Sequence, residues 1–275
     1  MHALGIERLC VFGMPPVAFV ELAADLGCDG VGVGLAPTSG YNPHGYPNWS
    51  LRDDAGLRRE TVTALDDRGV AISIVEGFAF APGHDMRAYD RDLDIVCELG
   101  ADRINVVSLD KDLDRTIEGF AVLAAMAAQR GLRVSAEMGS LGPIARVEPA
   151  LALVRSVGAA NFSLLIDAMH FFRLGNTVDE LAAIAPGLIG YVQLCDAPWT
   201  PRFDTYFEEA FYERLPPGAG ELPLLAFLRR LPADVTVSLE IPMRALADQG
   251  VGPRERLAPC VQAARALLAA AAAAV

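Results

Sequence analysis

Positive charge is scarce: 23 Lys and Arg stand against 35 Asp and Glu, a formal net charge of −12 at pH 7 and a pI near 4.8. Affinity for nucleic acid is built largely from Lys and Arg neutralising phosphates, so this balance argues against a nucleic-acid or anionic-membrane partner. Cysteine is sparse and unpaired in pattern. Cys10, Cys28, Cys97, Cys195 and Cys260 are odd in number and form no C-x-x-C, which removes zinc knuckles and redox motifs and suggests reduced thiols in a cytoplasmic protein. The opening MHALGIERLCVFGMPP has no basic segment followed by a long apolar run, and the Ala-rich ending ARALLAAAAAAV is too short for a bilayer. That ending reads instead as a terminal helix, since Ala is the strongest helix former.

What is present is a repeated unit within 275 residues of 52% hydrophobic content. A helical stretch stops at glycine and an apolar, β-rich run follows. AFVELAADLG ends at Gly27 before VGVGL, LRRETVTALDDRG at Gly69 before VAISIV, and DRDLDIVCELG at Gly100 before RINVVSL. FAVLAAMAAQRG ends at Gly131 before LRVSAE, and ALALVRSVG at Gly158 before FSLLID. Glycine past a helix end takes the left-handed conformation that closes the last turn. LIGYVQLCD and VTVSLEIP follow two further helices, and RLCVFG supplies an opening strand, which makes eight. Runs this rich in Val, Ile and Leu suit parallel strands covered on both faces. A single α/β domain over 1–275, a (β/α)₈ TIM barrel, is therefore expected. The alternative, a doubly wound sheet, lacks its glycine-rich nucleotide fingerprint in VFGMPPVA.

Two segments exceed ordinary loop length: residues 36–50 after strand 2 and 196–222 after strand 7. Long loops there belong to the catalytic face. Their aromatics, Tyr41, Tyr46, Trp49, Trp199, Phe203 and Tyr206, either wall a pocket or pack the loops onto the rim.

An ionised residue closing an apolar strand is costly unless paired, hydrogen bonded or bound to metal. Glu137 ends RVSAE, Asp167 ends SLLID, Gln193 lies in YVQLCD and Glu240 ends VTVSLE. On strands 5 to 8 of a barrel these converge at one side of the mouth, and three carboxylates aimed at one point call for a cation. Oxygen donors favour Mn²⁺ or Mg²⁺, with Co²⁺ next, as one divalent ion. Glu76 and Ser108 end strands 3 and 4 and face the same pocket as candidate substrate contacts. Arg202 is a candidate for an anionic substrate group. Asp196 is expected to support the strand 7 ligand.

With SAEMGS at Glu137, IDAMH from Asp167 to His170, YVQLCDAP at Gln193, PPGAGELPL and SLEIP at Glu240, the sequence resembles the sugar-phosphate isomerase/epimerase superfamily, the xylose-isomerase-like TIM barrels. The resemblance covers strands 5 to 8 by motif and the N-terminal half by architecture. It implies that Glu137, Asp167, Gln193 and Glu240 hold the metal, with His170 at the substrate or as acid/base. Many such epimerases carry histidine where this chain has Gln193, which is similar to the 3-dehydroshikimate dehydratase branch, where Q-L-x-D-A-P also occurs. Ala219 replaces a frequent glutamate.

The implied chemistry is proton removal beside the carbonyl of a small hydroxy-carbonyl substrate, giving a metal-stabilised enediolate. Glu137 and Glu240 on opposite faces then make an isomerase or epimerase acting on a keto-sugar or related compound. Loss of a β-hydroxyl, with His170 as acid/base, would make a dehydratase lyase. An apurinic endonuclease IV-like enzyme needs more histidines than the four present. A non-catalytic barrel is the remaining alternative, and a homo-oligomer is compatible with either.

Overall fold

The computed structural model describes residues 2–37 and 40–273. Eight parallel strands close in sequence order into a barrel. They are β1 Leu4–Glu7, β2 Gly30–Gly34, β3 Ala71–Phe80, β4 Arg103–Ser108, β5 Arg133–Glu137, β6 Phe162–Asp167, β7 Ile189–Leu194 and β8 Thr236–Leu239. The (β/α)₈ expectation holds. The opening strand lies earlier than expected, because RLCVFG forms a 3₁₀ turn over Arg8–Val11 while LGIE pairs with β2 and β8.

All five predicted helix-stop glycines, Gly27, Gly69, Gly100, Gly131 and Gly158, have positive φ. Side chains cap several helix starts: Asp54 accepts from the Leu57 amide, Asp112 from Arg115, and Thr177 forms a capping box with Glu180. The terminal helix runs Pro253–Ala272, and the last two residues of the alanine tail lie outside the described ones.

Two apolar clusters result. The large one lies between the strands and their outer helices, while only Ile74, Leu165 and Tyr191 form the small cluster inside the barrel. Elsewhere in the interior stand polar side chains, among them Glu7, Arg103, Asn105, Ser135 and Gln193. At Gly32 a Cβ would lie 1.7 Å from Glu7 Oε2, and at Gly34 one would lie 2.0 Å from Arg8 Nη1. The inward glycines of GVGVG are thus what admits these two side chains to the interior. The cysteines are free, and no helix among the described residues is long and apolar enough to cross a membrane.

Candidate active site

The C-terminal ends of the strands open into a cavity of about 440 Å³. Glu137 and Glu240 line it from the ends of β5 and β8, and Asn105 and Glu76 from within β4 and β3, since β3 runs on to Phe80 rather than ending at Glu76 as expected; Arg8, His170, Tyr206 and Arg214 join them. Its upper wall is apolar, with Phe78, Leu109, Leu141, Phe207 and Phe211.

The D-x-x-H spacing has a local cause. Asp167 is the N-cap of the helix Ala168–Arg173, its Oδ1 accepting from the His170 amide at 2.8 Å, so the cap fixes His170 in the first turn. His170 Nε2 then lies 3.5 Å from Glu137 Oε1, and Nδ1 lies 2.5 Å from the Tyr206 hydroxyl. Asn105 donates to Glu137 Oε2 at 2.8 Å. Gln193 donates through Nε2 to Glu76 Oε1 at 3.1 Å and Glu240 Oε1 at 3.2 Å, while its carbonyl oxygen is buried with no partner.

Arg214, unremarked in the sequence, sits among these groups. Its Nη1 lies 2.5 Å from Asp167 Oδ2 and 2.9 Å from Glu240 Oε2, and all three residues are buried. Its one sequence signal is its place just before PPGAGELPL. Glu7 and Arg8 escaped notice for a similar reason, since the opening strand was set four residues late. Arg8 Nε donates to Glu76 Oε2 at 2.6 Å.

Burial raises the Glu137 carboxyl to about 7, with Asp167 and Glu76 adding to the effect and Asn105 opposing it. Burial also raises Glu240 well above the ordinary carboxylate range, only partly offset by Arg214. Against the same burial, Arg214 and His170 hold Asp167 below its usual value. Burial lowers His170 to about 4, so the imidazole is neutral at pH 7.

Several expected residues fall elsewhere. Asp167 and Gln193 are fully buried beside the cavity rather than on its surface. Ser108 lines the cavity, but its hydroxyl is engaged with Thr116 Oγ1 at 2.9 Å and the Asp110 carbonyl at 3.1 Å. Arg202 is exposed over the Phe203 ring and outside the lining, because its loop turns outward before the helix Tyr206–Tyr212; the cavity's cations are Arg8 and Arg214. Asp196 does not touch Gln193; its carboxylate accepts from the amides of Ala197, Gly218 and Leu222 and so ties down PPGAGEL. Of Tyr41, Tyr46, Trp49, Trp199, Phe203 and Tyr206, only Tyr206 lines the cavity, joined by Phe207 and Phe211 of the same segment. Trp49 anchors its loop through Nε1 to the Gly13 carbonyl at 2.9 Å, and Trp199 is exposed against Phe172. Thr38 and Ser39 of the strand 2 loop lie outside the described residues.

The donor chemistry fits a hard divalent cation. Glu137, Asp167 and Glu240 offer carboxylates, and the partnerless Gln193 oxygen is a buried acceptor in need of a positive group. As arranged, Arg214 holds the gap between Asp167 and Glu240, and among the described residues no three His, Cys, Asp or Glu side chains are gathered into a metal-binding group.

The family of xylose isomerase-like TIM barrels matches residues 20–267. Among curated proteins, a 3-dehydroshikimate dehydratase of Pseudomonas aeruginosa is 30% identical over 152 residues, 53% of this chain and 24% of that protein. One of Pseudomonas putida is 25% identical over 187 residues, 63% of this chain and 29% of that protein. The matched segments thus span 24% and 29% of the lengths of these two relatives, about a quarter of each. A solved xylose isomerase-like TIM barrel/4-hydroxyphenylpyruvate dioxygenase fusion protein superposes with a TM-score of 0.73 at 24% identity, covering 90% of this chain and 41% of that one. The IOLI protein, described with a binding zinc atom, superposes at 0.77 with 17% identity over 98% of both chains. At these identities the superpositions speak for the fold.

Proposed function

The chain belongs to the xylose isomerase-like TIM-barrel family, and we propose that it is a divalent-metal-assisted isomerase or epimerase that moves a proton beside the carbonyl of a small hydroxy-carbonyl compound. The observation that carries this reading is the Glu137 carboxylate on the cavity wall, oriented by Asn105 at 2.8 Å and 3.5 Å from His170 Nε2, a geometry suited to a base. Glu137, Asp167, Gln193 and Glu240 would hold the ion. When bound, it supplies Lewis-acid polarisation of a carbonyl and a neighbouring hydroxyl oxygen.

The remaining work falls to the chain's own groups. Glu137 accepts the proton from carbon. Glu240, three strands further round the mouth, returns one from another side. Tyr206, with its hydroxyl proton held tightly by burial, donates to His170 Nδ1, which leaves the proton on Nε2 beside Glu137. His170 is thereby a neutral donor for a substrate oxygen. Arg8 replaces Arg202 as the contact for an anionic substrate group, and the apolar wall excludes water from the reacting carbon.

Gln193 in place of histidine, together with the two curated relatives, favours a second reading in which proton loss is followed by expulsion of a β-hydroxyl. The first step is shared, so one experiment separates the outcomes. Keto-sugars, inositol-derived ketones, hydroxypyruvate and 3-dehydroshikimate are incubated with enzyme and Mn²⁺ in deuterated water. Deuterium entering an inverted or isomerised product supports the proposal. Loss of water to a conjugated product selects the dehydratase. If no compound exchanges a carbon-bound proton, or the Glu137→Gln enzyme exchanges as fast as the parent, Glu137 is not the base.

A further inference from the structure

At the opposite end of the barrel a second cavity, of about 350 Å³, opens among the N-terminal ends of β4 to β7 and residues 232–235. Arg103 lines it and is only 7% exposed. Its Nη1 donates to Ser135 Oγ at 2.8 Å, and no carboxylate among the described residues pairs with it. Asp102, whose charge acts on it, is taken by Arg133 at the surface. Other buried guanidinium groups have a counter-ion or several carbonyl acceptors: Arg173 pairs with Glu209, Arg214 with Asp167 and Glu240, and Arg256 donates to the carbonyls of Val251 and Cys10. The backbone makes room for this cation, since a Cβ at Gly190 would lie 2.6 Å from Arg103 Nη1 and 2.0 Å from Ser163 Oγ. Burial and the neighbouring Arg133 lower the Arg103 proton affinity to about 10, which still leaves a full positive charge at pH 7.

A buried guanidinium with donors to spare and no counter-ion is costly, and its planar fork matches an oxyanion. We propose that this cavity binds a small molecule through an oxyanion, a carboxylate or a phosphate group, held by Arg103 with Arg133 at the rim. The inference stands apart from the proposed reaction, which uses the other mouth.

Calorimetric titration at fixed ionic strength, with inorganic phosphate in one arm and acetate in the other, tests it. Saturable one-to-one binding is expected, and the tighter arm identifies the preferred group. Arg103→Gln should weaken binding by about tenfold or more, the loss of a charge-assisted contact. The exposed Arg133→Gln should weaken it, and the exposed Asp234→Asn strengthen it, by about two- to fivefold each, as surface charges do. Arg8→Gln, in the other cavity, should leave it unchanged. Absence of saturable binding in both arms, or loss on Arg8→Gln instead of Arg103→Gln, overturns the proposal. Should Arg103→Gln fail to fold, unchanged affinity in both rim variants overturns it equally.

Discussion

At the C-terminal mouth, Glu76, Glu137, Asp167 and Glu240 crowd around Arg8 and Arg214, whereas at the N-terminal mouth Arg103 sits beside Ser135 and Ser163 with no carboxylate among the described residues paired to it. The two ends share the same strands. On β4 the cationic Arg103 lies two residues below the neutral Asn105, and on β5 the neutral Ser135 lies two below the anionic Glu137, so on each strand one step of the pleat makes the inward position more negative toward the C-terminal mouth. Between them sits the thin layer of Ile74, Leu165 and Tyr191. The barrel wall and its outer helices carry the fold, which leaves the interior free to hold uncompensated charge of either sign at its ends. One mouth then suits a cation and the other an anion.

The largest expected effect comes from removing the proposed base. Glu137→Gln should lower proton exchange by roughly 10²–10⁴-fold, the range for a general base, with unfolding by urea little changed. Arg103→Gln is the matched substitution at the other mouth and should leave exchange within a few-fold of the parent. Comparable losses in both would show that the two ends do not divide the labour.

A second comparison concerns charge compensation. Arg214→Leu removes the cation between Asp167 and Glu240 and should cost about 3–5 kcal/mol of unfolding free energy in chelator, as for breaking a buried ion pair. Excess Mn²⁺ should recover more of this in the variant than the parent gains from the same addition, because the ion binds only the folded state. A variant as stable as the parent, and indifferent to Mn²⁺, would mean that the upper mouth carries no excess of negative charge.

The barrel was legible in the sequence because its signals are local. Glycine stops and Val/Ile/Leu runs set seven of the eight strands, and β1 was misplaced because RLCVFG is as apolar as a strand but lies where the chain turns. The strand-end carboxylates were legible for the same reason, since an acid closing an apolar run is conspicuous. Arg214, Arg8 and Asn105 were not, because their roles depend on which residues from distant strands meet them. Arg214 arrives from a long loop, and nothing local to ERLPPG states that it will be buried against Asp167, 47 positions away. Arg202 lies outside the cavity lining because the direction its loop takes is a tertiary property. Asp196 follows the ligand strand, yet its partners are the amides of its own following loop.

Glu7 lies beside the inner apolar layer and reports how far the negative field of the upper mouth reaches. Its Oε1 accepts from Tyr191 at 2.7 Å, and its Oε2 is buried beside the Ser238 hydroxyl. Burial, reinforced by Glu76, raises its carboxyl from 4.5 to about 8. The folded state therefore holds this proton more tightly than the unfolded chain, so the stability it contributes is complete below pH 4.5 and is lost as pH rises through about 8. Glu7→Gln keeps the neutral shape, offers Nε2 to Ser238 and cannot ionise. It should be up to about 3 kcal/mol more stable than the parent at pH 7, with the difference vanishing near pH 4. Urea unfolding across that range measures it. Glu76→Gln should flatten the parent's slope by removing the neighbouring charge. Parallel pH profiles for parent and Glu7→Gln would place Glu7 outside the reach of the upper mouth and confine the electrostatic contrast to the two rims.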